Sequence, residues 1–153
     1  MEGIMKFKIL LACAVSCLSF QAHAAETFTA TNYYVTSTEA LPIDKKSGHW
    51  SLTFDGISEV SAGPVDTMAV TCRGSGFWSA KGVSGQGYCV HGSGDDTFTL
   101  RWEAVAGANE NRWQVLAGTG KYSTLKGQGI AKTQKLAGNR RITTLQGEVT
   151  LDE

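Results

Sequence analysis

Apolar side chains recur at every second position over much of this chain. From His49 to Phe54, Trp50, Leu52 and Phe54 share one face. From Asp96 to Ala104, Phe98, Leu100, Trp102 and Ala104 alternate with Thr97, Thr99, Arg101 and Glu103. Met68, Val70 and Cys72 form a third such set, and Leu145, Val149 and Leu151 a fourth, opposite Thr144, Gln146, Glu148 and Thr150. A period of two, rich in threonine, valine and aromatics, is the pattern of half-buried strands; helical periodicity is hard to find. The alternation predicts eight strands, at 27–36, 49–57, 66–73, 86–92, 96–105, 111–117, 128–135 and 141–151. The connections between them carry glycine, asparagine, aspartate or proline, residues that accept turn conformations. The expected fold class is all-β, with one domain over 25–153. A chain this short has few ways to hide sheet edges except closure, so a single eight-stranded antiparallel barrel is favoured over a sandwich. A barrel of that size holds packed side chains or one small ligand.

The first 24 residues stand apart. Lys6 and Lys8 precede an apolar run from Ile9 to Phe20, which ends in Ala22-His23-Ala24. A basic start, an apolar stretch too short for a bilayer and a small-x-small ending make a secretory signal removed after Ala24. A lipoprotein-like site at Val15-Ser16-Cys17 is the rival, and it fits less well because Ala14 is a poor residue three places before the cysteine. Cleavage leaves 129 residues carrying 12 basic and 13 acidic side chains, a net charge of about −1. That balance argues against a nucleic-acid binder, and no later segment is apolar enough for an integral membrane helix. Periplasmic or secreted localisation is the expectation. In such an oxidising compartment Cys72 and Cys89 most simply form a disulfide, whose closed loop of about 17 residues would stabilise the fold by roughly 3 kcal/mol. The face pattern holds a tension, because Cys72 shares a face with Met68 and Val70 whereas Cys89 lies opposite Tyr88 and Val90. Either one apolar set faces outward or a glycine bulge at Gly74 or Gly87 shifts the phase. A metal site built from His49, Cys72, Cys89 and His91 lacks ligand spacing, so no metal is expected.

Two segments echo each other: Ser84-Gly85-Gln86-Gly87-Tyr88 and Lys126-Gly127-Gln128-Gly129-Ile130. Their glycines are read as repeated turn chemistry at strand entries. The second follows Trp113-Gln114-Val115-Leu116-Ala117-Gly118-Thr119-Gly120-Lys121-Tyr122, where an aromatic strand runs into Gly-Thr-Gly-Lys-Tyr. This run resembles the allene oxide cyclase barrel-like group, which includes the plant dirigent-type barrels. It looks closest to small exported bacterial members of unknown function. Gly87-Tyr88-Cys89, the glycine- and aspartate-rich turn after it and the strand with Trp102 fit the same pattern. Ala117 departs from it by replacing the first glycine of the usual pair. The likeness is clear over about 87–130 and silent over 25–65. It implies a calycin-like barrel with an apolar cavity, carries over no catalytic residue, and does not imply cyclase activity.

Candidate chemistry is sparse. Gly118-Thr119-Gly120-Lys121 is not a phosphate loop, since Val115 stands where the first glycine belongs and Tyr122 where Ser or Thr belongs. It reads as a tight turn with Tyr122 packing back on the barrel. Asp95 and Asp96 are too few for a calcium loop and read as a hairpin turn in which aspartate bonds its own backbone. No Gly-x-Ser-x-Gly is present. His49 and His91 read as surface or strand-end residues before they read as bases. Arg101 and Glu103 share a face that is solvated if Phe98, Leu100 and Trp102 point inward, and that lines the cavity if the barrel is inverted. The aromatics are the stronger hint, and Trp50, Tyr88, Phe98, Trp102 and Trp113 are the expected ligand-lining residues. The reading is a barrel that binds a small apolar or aromatic molecule, with no cofactor. Its rivals are a cyclase or isomerase acting in the same cavity and an envelope or interaction protein with a filled core.

Overall fold

The computed structural model describes residues 24–152. The leader read in 1–24 lies outside them apart from Ala24. Eight strands follow in order: β1 (Glu26–Pro42), β2 (Gly48–Ala62), β3 (Met68–Ser79), β4 (Gly82–Ser93), β5 (Asp96–Ala104), β6 (Asn111–Gly118), β7 (Lys126–Lys135) and β8 (Arg140–Thr150). One 3₁₀ turn, Gly120–Tyr122, interrupts them, and the described residues contain no α-helix. Each strand pairs antiparallel with the next, and β8 closes on β1. The result is a closed eight-stranded up-and-down barrel, as the alternation predicts. Closure leaves no free sheet edge. No helix among the described residues is long and apolar enough to cross a membrane.

Several strands run further than their apolar pattern. β1 continues through Thr38 and Ala40 to Pro42, and β2 through Ser58 and Val60 to Ala62. The largest difference is at Gly74 to Gly85, expected to be a connection. There β3 and β4 continue as a paired ladder to Ser79 and Gly82, which leaves a turn of Ala80 and Lys81. Gly74 pairs with Gly87 and Gly76 with Gly85, all without positive φ and without a register shift. These glycines are not turn residues. A Cβ on Gly74 or Gly87 would lie 2.3 or 2.5 Å from Trp102 Cζ2, and one on Gly85 would lie 2.4 Å from Trp50 Cζ2. Gly129 and Gly147, cross-strand partners in β7 and β8, face Trp113 in the same way. The Gly-Gln-Gly echo is therefore packing chemistry: bare backbone at Gly85, Gly87 and Gly129 receives the edge of an indole, and Gly127 lies against Val149.

The inner face also resolves the cysteine tension. Cys72 and Cys89 are directly opposed and bonded inside the barrel, in a ladder with no bulge. Tyr88 and Val90 are the apolar pair that faces out, 49 % and 45 % exposed. One end of the barrel is packed solid. Phe28, Val65, Val70, Phe98, Tyr122, Leu125 and Val149 are buried where the β2–β3, β4–β5 and β6–β7 connections meet the chain ends. The Gly-Thr-Gly-Lys-Tyr segment makes the plug. Gly120 adopts φ +54°, the Gly118 Cα faces the Tyr122 carbonyl too closely for any side chain, and Tyr122 is 1 % exposed. The Tyr122 hydroxyl donates to Asp66 at 3.2 Å, and Lys121 pairs with the same carboxylate, holding it below the usual range. Asp96 does not bond its own turn. Its Oδ1 accepts the Lys121 backbone N–H at 3.0 Å and so ties the β4–β5 hairpin to the plug.

Candidate functional site

The other end is hollow. A cavity of about 780 Å³ runs from the disulfide to the mouth formed by the β1–β2, β3–β4, β5–β6 and β7–β8 connections. Trp50, Trp78, Trp102 and Trp113 all line it, with Leu52, Phe54 and Leu100. Trp50 enters from β2 and Trp102 from β5, and they meet over the glycines of β3 and β4. Their ring planes are 8° apart with centroids at 6.3 Å. Trp113 is fixed by its Nε1–H, which donates to the Ile130 carbonyl at 2.9 Å, and by an edge-to-face contact with Phe28. The indole N–H groups of Trp50 and Trp102 have no partner among the described residues.

The expected lining residues divide by position. Trp50, Trp102 and Trp113 line the cavity. Phe98 points inward but sits in the packed end, stacked on His91 at 4.6 Å and edge-on to Tyr122. Tyr88 faces outward, because it occupies the phase opposite Cys89. Arg101 and Glu103 also lie outside, 3.7 Å apart, with Arg101 donating to Gln86 Oε1 at 2.8 Å. The barrel is not inverted. His49 sits edge-on to Phe77 near the mouth. His91 is neither a surface nor a strand-end residue. It is 1 % exposed, both ring nitrogens lack partners among the described residues, and burial lowers its pKa to about 3. It does not line the cavity.

The polar lining was not evident from the sequence. Asn32 and Tyr34 occupy the inward phase of β1 with Phe28 and Ala30. Asn32 Nδ2 donates to the Tyr34 hydroxyl at 2.5 Å, and Asn32 Oδ1 has no partner among the described residues. The Tyr34 oxygen lies 3.7 Å from Cys72 Sγ, a disulfide sulfur that can only accept. Burial raises the Tyr34 pKa, so it stays a neutral phenol, a hydrogen-bond donor and not a base. Thr133, Thr143 and Arg141 extend the polar side, and Thr38, Asn109 and Asn111 add polar groups near the mouth. The available signal was phase: Arg141 and Thr143 share the phase of Leu145 and Val149, and Asn32 interrupts an apolar series.

No family model matches the chain, and no curated protein matches it by sequence. Solved structures do share its fold. A pterocarpan synthase dirigent protein superposes with a TM-score of 0.53 at 13% identity, covering 94% of this chain and 98% of its own. Pyocyanin demethylase superposes with a TM-score of 0.51 at 14% identity, covering 81% of this chain and 99% of its own. At such identity the likeness is one of fold, a dirigent-like eight-stranded barrel.

Proposed function

We propose that this protein is an exported barrel of the bacterial type that binds a small apolar or aromatic molecule in its cavity. The observation that carries this reading is the one-sided hollow. About 780 Å³ of aromatic-lined space opens at one end of a barrel whose other end is packed solid. Trp50, Trp102 and Trp113 form the apolar wall, and burial of the ligand's surface against them supplies the driving force. A hollow of this size weighs against a filled-core interaction protein. Export is supported by the leader pattern and by the disulfide, a bond that persists in oxidising compartments. Titrating the protein with the neutral dye N-phenyl-1-naphthylamine tests the reading, with mass spectrometry of protein purified from its own host to look for a co-purifying molecule. Saturable dye uptake that quenches tryptophan emission is expected; no uptake at any concentration would defeat it.

A second reading, a cyclase or isomerase, is favoured by one specific feature. Asn32 and the neutral phenol of Tyr34 sit together in the wall and could orient and polarise a bound carbonyl or ether oxygen. Replacing Tyr34 by Phe would then abolish turnover of a bound substrate and leave its affinity nearly unchanged.

A further inference from the structure

The cavity wall is chemically two-sided. Strands β2 to β6 contribute the indoles, Leu52, Phe54, Leu100 and the disulfide, with Asn111 at the mouth end of β6. Strands β7, β8 and β1 contribute a contiguous polar strip beside Ala40, Ala131 and Leu145. The register sets Tyr34 beside Arg141, Asn32 beside Thr143, and Thr143 beside Thr133. Thr133 and Thr143 bond each other through their hydroxyls at 2.8 Å, which leaves Arg141 and the Asn32–Tyr34 pair facing the space.

Among the described residues Arg141 is the one formally charged side chain in the lining, and no carboxylate lines the cavity. Its side chain is half-buried and forms no ion pair or hydrogen bond among the described residues. A guanidinium presents a planar fork of donors that matches an oxyanion two bonds at a time, and it cannot shed its charge. One level deeper, Asn32 is 1 % exposed with an unpartnered Oδ1. The mouth adds to the bias. Lys45, Lys46, Lys81, Lys135 and Arg140 lie in or beside its connections. The acids at that end are Glu39, Asp44, Glu103 and Glu110; Glu103 pairs with Arg101 and Glu110 with Lys132, and the cations still outnumber them. A cationic mouth draws anions toward it.

We propose that the cavity selects a flat aromatic anion, its ring system against Trp50 and Trp102 and its acidic group against Arg141. This deepens the ligand-binding reading and rests on it. The parallel indole planes favour a planar body, because offset stacking rewards flat rings. The two-sided wall also fixes orientation, with the acid toward the β8–β1 wall and the ring edge toward the disulfide.

The test compares 2-naphthoate with its neutral isostere 2-naphthamide on the exported protein, by calorimetry and tryptophan emission. The anion is expected to bind at least tenfold more tightly. Arg141→Gln should abolish that preference, bringing 2-naphthoate down to the affinity of 2-naphthamide, whose continued binding shows that the cavity is intact. Arg141→Lys should keep part of the preference, since charge remains and the fork is lost. Equal affinity of the two probes in the unmodified protein, a comparison that needs no variant, would overturn this inference and leave the ligand-binding reading standing. A preference that survives Arg141→Gln would overturn the assignment of Arg141. Binding of neither probe would overturn both readings.

Discussion

His91 provides the sharpest check on the interior packing. It lies fully inside the closed end, stacked on Phe98, with Val70 as its cross-strand partner in β3. The aromatic beyond Phe98 is Tyr122, whose hydroxyl is engaged by Asp66. Neither ring nitrogen of His91 has a partner among the described residues, and burial lowers its pKa from 6.5 to about 3. Between those values the unfolded chain binds a proton that the folded protein refuses. Stability must therefore fall as pH drops below about 6.5. At pH 5 the unfolded imidazole is almost wholly protonated and the folded one almost wholly neutral. Relative to pH 7, the linkage then costs about 2 kcal/mol, at about 1.36 kcal/mol for each pH unit below the unfolded pKa.

The perturbation is His91→Leu, which is close in volume and carries no proton. At pH 7 the variant should be as stable as the parent or more so. It relieves two unsatisfied nitrogens, whose desolvation costs about 1–3 kcal/mol, and risks imperfect packing of a branched side chain against Phe98. The decisive quantity is the slope. Urea unfolding at pH 7, 6 and 5 should show the parent losing about 2 kcal/mol more than the variant across that range. His49 and the carboxylates are present in both proteins and cancel. Parallel pH curves would refute the reasoning, because they would mean that His91 keeps an ordinary pKa through a partner or water in the closed end.

Other outcomes follow from the same geometry. Gly87→Ala should destabilise by about 1–3 kcal/mol and shift tryptophan emission, because its methyl meets the Arg73 carbonyl oxygen at 2.3 Å and Trp102 at 2.5 Å; thermal melts and fluorescence check this. Trp102→Asp should abolish dye binding and cost at least about 3 kcal/mol, since it trades a core indole for an unpaired charge. Glu103→Ala should change stability by no more than about 0.5 kcal/mol, its pair with Arg101 being exposed; a large loss would contradict the outward placement. Alkylation of the oxidised protein should find no free thiol on Cys72 or Cys89, and removing both cysteines should cost roughly 3 kcal/mol in urea unfolding. Intact mass of the exported protein should correspond to a start at Ala25 with no lipid adduct.

What was legible in the sequence was what depends on a strand's own alternation. Trp50, Leu52 and Phe54 in β2 and Phe98, Leu100 and Trp102 in β5 announce an inner face locally, and enough such segments leave closure as the natural solution. Position along the barrel axis was not legible. Phe98 and Trp102 share a phase, yet one is packed against His91 and the other lines the hollow. That difference depends on which connections carry the plug, and so on Tyr122 folding back from 24 residues further along. Tyr88 misled because aromatic character alone placed it among the lining residues, whereas the disulfide holds the inward phase of β4. Asn32 and Arg141 escaped notice for the converse reason. Polar residues in an apolar phase look like irregularities until the register sets them side by side.

The glycines join these observations. A side chain on the inner face of β3 and β4 would push Trp50 and Trp102 toward the axis, and indoles there would fill the space that the cavity occupies. With Gly74, Gly76, Gly85 and Gly87 bare, the rings withdraw to the wall, and the axis stays open between them and the polar strip of β8 and β1. The packed end has no such arrangement: Phe28, Phe98 and Tyr122 meet there edge-on to neighbouring rings and close the barrel. Glycine within a strand weakens it by removing packing and adding unfolded-state freedom. Four such residues on two adjacent strands, directly paired and each facing an indole, carry that cost where the wall is thinnest. The disulfide two residues beyond Gly74 and Gly87 ties the same two strands together. Hollow and staple thus belong to one device, a thin aromatic-backed wall held in register beside the space it creates.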